Sequence, residues 1–437
     1  MTSLQRPIPL SYKCGKMMPK APKTSPGLSI ELDDHYAARV YTTNSVVTGQ
    51  VVVNVQRDTP FENINICFLG TISTSVRGLL SHTPIVSRRT ILKLTMPISE
   101  SSCPAPRIFR AGQQYNFSFH FVIPEELTVD ACYHRADTSV HHSHTQLPPS
   151  MGGWENDHLS TQKARVQYTI QAEFAKTSGS GRMKKTVLKG GKEILVLPNL
   201  PDEPPLDILP TDKMYALKRS KHLKSSFMKA YGGITATAFQ PPAVMLSNDG
   251  RTASSTQIQV NLDFKPASNP TTMPKITKIS TRVKAMTIFG FHGFSDFPDL
   301  GDWAHIYESH STWHARTTPI SHQVLGESTW VNAAKQDPEE NVSWGNQSSS
   351  GDTSELDGSI HSFGNGAEPS GYKLKTCISI DLPTHDQTFV PTYHSCIVSR
   401  VYFIQLSLAL SAEGKSSNLT FRIPLQVGVQ SNTSKEY

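Results

Sequence analysis

The chain has 437 residues, room for two or three domains and more than one sizeable core, which excludes a peptide or miniprotein. Lys and Arg number 42 against 36 Asp and Glu, and the formal charge of +6 is too mild for a dedicated nucleic-acid face, so no nucleic-acid partner is expected. Only 18% of residues are charged and no long stretch is rich in Ala, Glu, Lys and Leu, which argues against a helical bundle.

Residues 1–27 carry Arg6, Lys13, Lys16, Lys20 and Lys23 without an apolar run of signal-peptide length, and read as a disordered tail. Val51, Val53 and Val55 then follow Gly49, read as a turn residue, and Ile64, Ile66 and Phe68 alternate with Asn63 and Asn65. Tyr115, Phe117, Phe119, Phe121 and Ile123 alternate with polar residues until Pro124. Val166, Tyr168, Ile170, Ala172 and Phe174 do the same against Gln167, Thr169, Gln171 and Glu173. A period of two places one strand face in a core and the other towards water. Between these strands His134, His141, His142 and His144 invite a metal reading. They have no partnering Cys spacing and no H-E-x-x-H, so they are expected to be solvated in a polar loop, with no metal and no cofactor.

Pro198, Pro201, Pro204, Pro205 and Pro210 mark residues 199–212 as an extended linker between a first domain, 28–198, and a second, 213–430. A helix is expected over about 212–229, with Asp212 as N-cap and Met214, Leu217, Leu223, Phe227 and Met228 sharing an apolar side. Its basic face would present Lys218, Arg219, Lys221 and Lys224 to an anionic membrane surface or an acidic partner. Alternation resumes in Ile258, Val260, Leu262 and Phe264, in Val283, Ala285, Thr287 and Phe289, in Tyr402 to Leu410, and in Phe421 to Val429. The aromatics Phe291, Phe294, Phe297, Trp303, Tyr307, Trp313 and Trp330 are expected to serve core packing at least as much as recognition. Residues 323–371, polar and acidic, read as a flexible insertion, and 431–437 as a tail. The most apolar segment, 397–412, is interrupted by Ser399, Arg400, Gln405 and Ser407 and is too short to span a bilayer. Six scattered cysteines fit a reducing cytoplasm.

Together these elements predict an all-β chain of two antiparallel, immunoglobulin-like β-sandwiches with one short basic helix near the domain junction. No catalytic residues are expected. There is no G-x-S-x-G, no phosphate-cradling glycine loop, and S-x-x-K at 226–229 and 370–373 lacks its companion motifs.

In order, the segments Leu28-Ser-Ile-Glu-Leu32, Val40 to Val53, Ile64-Asn-Ile-Cys-Phe-Leu-Gly70, Ala111 to Pro124 and Arg165-Val-Gln-Tyr-Thr-Ile-Gln-Ala172 resemble the N-terminal domain of arrestins, especially the fungal arrestin-like (alpha-arrestin) branch. Ile378-Ser-Ile-Asp-Leu-Pro-Thr384, Ser395 to Leu410 and Phe421-Arg-Ile-Pro-Leu-Gln-Val427 are similar to the arrestin C-terminal domain. The resemblance implies a non-enzymatic cytoplasmic adaptor, peripheral at plasma membrane or endosomes. Such a protein binds cytosolic tails of membrane transporters or receptors and recruits a HECT-type ubiquitin ligase. A scaffold subunit of a retrograde-type coat and a β-sandwich enzyme with dispersed site residues are the alternatives. The family's ligase-binding P-P-x-Y motif is absent. Its degenerate remnant is Val390-Pro-Thr-Tyr393, in which Pro391 and Tyr393 are the candidate contacts for a WW domain.

Overall fold

The computed structural model describes residues 13–14, 24–77, 83–177, 184–224, 230–268, 272–302, 311–326, 328–333 and 371–431. The principal strands of the first half are β1 (Leu28–Leu32), β2 (Val46–Asn54), β3 (Asn63–Arg77), β4 (Pro84–Met96), β5 (Gln114–Val122), β6 (Ala164–Thr177) and β7 (Lys184–Val196). One short helix, α1 (Thr138–Thr145), interrupts them. The second half supplies β8 (Lys218–Lys224), β9 (Ala230–Ala238), β10 (Thr256–Pro266), β11 (Lys275–Gly290), β12 (Ser311–Pro319), β13 (Ser321–Leu325), β14 (Tyr372–Asp381), β15 (Tyr393–His394), β16 (Val398–Ala412) and β17 (Lys415–Leu425). The fold is all-β and antiparallel in its main sheets, as the alternation predicts.

Two sheets, β4-β3-β6-β7 and β1-β2-β5, face each other in the first lobe. Their apolar faces meet because every second residue points inward: Val47, Val51 and Val53 of β2 lie with Phe117, Phe119 and Phe121 of β5 in one core. Tyr168 of β6 lies over Gly70, its register partner on β3, and its buried hydroxyl donates to the Pro148 carbonyl at 2.6 Å. The second lobe pairs the sheet β8-β9-β10-β14-β13 with a sheet in which β16 is flanked by β11 and β12 on one side and by β15 and β17 on the other. Ile258, Val260, Leu262 and Phe264 close this second core against Val283, Ile404, Leu406, Leu408 and Phe421.

Two readings of local structure are corrected. Gly49 is not a turn residue but sits inside β2, opposite Leu32 and Phe119. A Cβ there would lie 2.2 Å from the Glu31 carbonyl oxygen, so the close approach of β1 requires glycine. Gly49→Ala is expected to cost about 2 kcal/mol, read as a lower denaturation midpoint. The basic helix does not form over 218–224 either: Lys218–Lys224 is a strand, paired antiparallel to β9 with Lys218 opposite Thr237 and Lys221 opposite Ile234, while Phe227 and Met228 lie outside the described residues. The ladder begins at Leu217, whose carbonyl accepts from the Ala238 amide at 2.8 Å, and sheet pairing overrides the helical spacing of Met214, Leu217 and Leu223. Asp212 caps no helix. Its buried carboxylate accepts from the amides of Leu209 at 2.6 Å and Gly301 at 2.5 Å, pinning the linker's end onto the second lobe.

The lobes share a buried boundary. Phe289, Tyr393, Cys396, Ile397 and Val398 come from the second half of the chain yet join the first core. The first half of β16 is buried on both faces for this reason, whereas its later half alternates. Thr74 donates across the boundary to the Gly290 carbonyl at 2.7 Å, and Thr388 to that of Glu155 at 2.6 Å. No helix among the described residues is long and apolar enough to cross a membrane.

Candidate functional site

Two places concentrate chemistry. The first is β8, the terminal strand of its sheet, where Lys218, Arg219, Ser220, Lys221, His222 and Lys224 are all exposed and only Leu223 turns into the core. All four candidate cations therefore lie on one surface element, a strand and not a helix. Arg219 donates to the Thr420 carbonyl at 3.0 Å and stands beside Arg422. Burial and the Arg219 charge together lower the affinity of Arg422 for its proton, a sign of locally concentrated positive potential. Beside the strand lies a cavity of about 300 Å³ lined by His222, Leu223, Lys224, Gly232, Gly233 and Lys265. At Gly232, with φ 154°, an added Cβ would meet the Lys265 carbonyl oxygen of the paired strand at 2.5 Å, so the close approach of β10 requires glycine. A largely apolar lining with two lysines, Lys224 and Lys265, suits an extended acidic segment.

The second is the lobe boundary around Cys396. The irregular segment 132–134 brings Cys132 and His134, the last turn of α1 brings His144, and the residues leading into β16 bring Cys396. The four donor atoms lie within 4.8 Å of one another. Cys132 Sγ is 3.4 Å from His134 Nε2 and 3.6 Å from His144 Nδ1, while the Cys396 thiol donates to the Ala131 carbonyl at 3.6 Å. His144 is 1% exposed and its Nε2 has no hydrogen-bond partner. Burial drives His144 down to about 3, so its ring is neutral. A hydrogen bond between the two thiols lowers Cys132 and, together with burial, pushes Cys396 up.

The histidine stretch is thus not a solvated loop throughout. His142 is exposed, but His144 is sealed in beside Cys132 and beside Cys396, which is distant in the sequence and which local spacing does not connect. Pro391 and Tyr393 are also placed differently from an accessible docking motif. Both are buried, and the Tyr393 hydroxyl points at Met151 Sδ, 3.4 Å away. Burial holds this phenol well above its ordinary range, and a ring packed there is closed to a partner's groove. Phe294 is core, as expected of that aromatic run, and Trp313 is exposed. Trp303, Tyr307 and most of the acidic insertion lie outside the described residues.

Sequence reasoning missed Arg400, the largest fully buried side chain. Its guanidinium crosses the boundary to Ser160 Oγ at 2.9 Å and to Met151 Sδ at 3.5 Å, and Nε has no partner. An arginine inside an otherwise apolar strand is the signal that marks it. Comparison of the chain with protein-family models and with curated proteins gives no match.

Proposed function

We propose that this protein is a non-enzymatic cytoplasmic adaptor that binds cytosolic parts of membrane transporters or receptors and promotes their ubiquitin-linked endocytosis or trafficking. The observation that carries this reading is the exposed basic strand β8 with the cavity beside it that Lys224 and Lys265 line, on an all-β frame whose strand segments resemble arrestins in order. A rigid sandwich presents such a strand at little entropic cost, and an extended acidic tail recognises it by charge and by main-chain pairing. The burial of Tyr393 argues for recruitment of a ligase through another bridge than residues 390–393.

The test is fluorescence anisotropy of an Asp/Glu-rich tail peptide with the full chain and with the quadruple variant Lys218→Glu, Arg219→Glu, Lys221→Glu, Lys224→Glu. The expected result is micromolar-range binding that weakens with salt and falls roughly 10-fold or more in the variant. Equal binding by both proteins would remove β8 from the reading. Binding to anionic vesicles but not to the peptide would replace the acidic tail by a lipid surface.

A further inference from the structure

We propose that Cys132, His134, His144 and Cys396 form a four-ligand site for a zinc-class divalent ion, which fastens the two lobes to each other. Three ligands come from the first lobe and one from the second, so the ion would close the boundary that Cys396 and its neighbours already bury.

The geometry fits the ion. Tetrahedral zinc with Zn–S of about 2.3 Å and Zn–N of about 2.0–2.1 Å requires sulfur and nitrogen ligands about 3.6 Å apart. The observed separations are 3.4 Å to His134 and 3.6 Å to His144. Two sulfurs and two imidazoles are a donor set that selects zinc over hard cations such as magnesium or calcium. His134 is oriented as a ligand should be: Nδ1–H donates to the Arg135 carbonyl at 3.3 Å, which fixes the tautomer and leaves the Nε2 lone pair towards Cys132.

The second lobe makes room for that ring. A Cβ on Gly293 would lie 2.5 Å from His134 Cγ and Cδ2 and 2.8 Å from Nε2, so glycine lets the imidazole lie against the backbone. Without an ion His144 Nδ1, the ring nitrogen that faces the cluster, has a weak contact to the Cys132 sulfur in a buried interior. Binding balances the charge: the two thiols give up two protons to solvent, and the two thiolates neutralise the 2+ ion without leaving net charge buried.

The test uses the full chain without a histidine tag. Elemental mass spectrometry of the purified protein should find zinc at one ion per chain. After chelation and anaerobic reduction, added Co²⁺ should give intense visible bands of tetrahedral cobalt together with a sulfur-to-cobalt charge-transfer band in the near ultraviolet. Cys132→Ser and Cys396→Ser should weaken Co²⁺ binding on the order of 100-fold and reduce the charge-transfer band, and Gly293→Ala should weaken it about 10-fold by displacing His134. Substoichiometric zinc combined with cobalt spectra lacking the sulfur band would overturn the proposal, and this reading needs only the wild-type chain. So would a Cys132–Cys396 disulfide in metal-free protein that does not bind Co²⁺ after reduction. Full affinity in Gly293→Ala together with both cysteine variants would exclude these ligands.

Discussion

Phe174→Ala is expected to lower the stability of the first lobe by about 4 kcal/mol. Phe174 is fully buried on β6 and meets Phe61 and Phe109 edge-on, at 5.8 Å and 5.2 Å between ring centroids, while Phe117 lies 5.5 Å away. Phe61 and Phe109 are themselves stacked at 4.2 Å, so the ring fills a slot whose walls are already held by each other. Such walls cannot collapse into the space left by truncation, and the cavity penalty adds to the lost burial. Denaturant unfolding followed by a probe in the first lobe measures the effect. A loss under about 1 kcal/mol would mean that this cluster is not closed around Phe174.

Arg400→Ala is expected to destabilise the lobe boundary by about 3 kcal/mol, whereas Arg400→Met should leave stability within about 1 kcal/mol or raise it. The difference follows from what the arginine touches. It is fully buried, no carboxylate among the described residues lies within ion-pair distance, and its contacts include one serine hydroxyl, one thioether and Tyr402, whose ring lies 5.8 Å away. A charge with so few partners is held at a desolvation cost that methionine removes while filling most of the space, and alanine leaves a cavity instead. Thermal unfolding of both variants decides the matter. Equal losses in the two would show that the guanidinium itself, not its volume, holds the boundary. If so, Ser160→Ala should reproduce part of the loss.

The strands are legible because apolar and polar residues alternate along them; β5 has one wet face, whereas on β6 the polar Gln167 and Thr169 are buried as well. Tyr115 to Ile123 and Val166 to Phe174 alternate in the sequence, and β5 and β6 bury the residues that alternation selects. The early part of β16 alternates less cleanly, since both its faces are covered, and there Arg400 and Ser399 enter the interior under constraints that come from the other lobe. The segment 212–229 misled because lysines and spaced apolar residues satisfy a helix pattern as readily as a strand with a single inward residue. Only the pairing partner, β9, distinguishes the two. Gly49 carries the same lesson, since the demand for glycine comes from the Glu31 carbonyl on a neighbouring strand.

The candidate sites were legible in unequal measure. Lys218, Arg219, Lys221 and Lys224 are marked as candidates by charge alone, and they are exposed on the strand as they would be on a helix. The Cys132, His134, His144 and Cys396 cluster is not so marked, because its fourth member is contributed by a distant part of the chain and no local spacing rule reaches it. Pro391 and Tyr393 show the opposite failure: a short motif is visible in the sequence, yet its tyrosine is consumed by the core. The two functional proposals are separable, since one concerns the surface of β8 and the other the lobe boundary.

The adaptor reading is tested most directly by proximity labelling in the native cell, comparing the wild-type chain with the four-residue charge reversal on β8. Enrichment of membrane transporters or receptors by the wild type, lost in the variant while the protein remains folded and equally abundant, is the predicted result. Labelling that enriches no membrane protein, or that enriches the same ones in both, would contradict it.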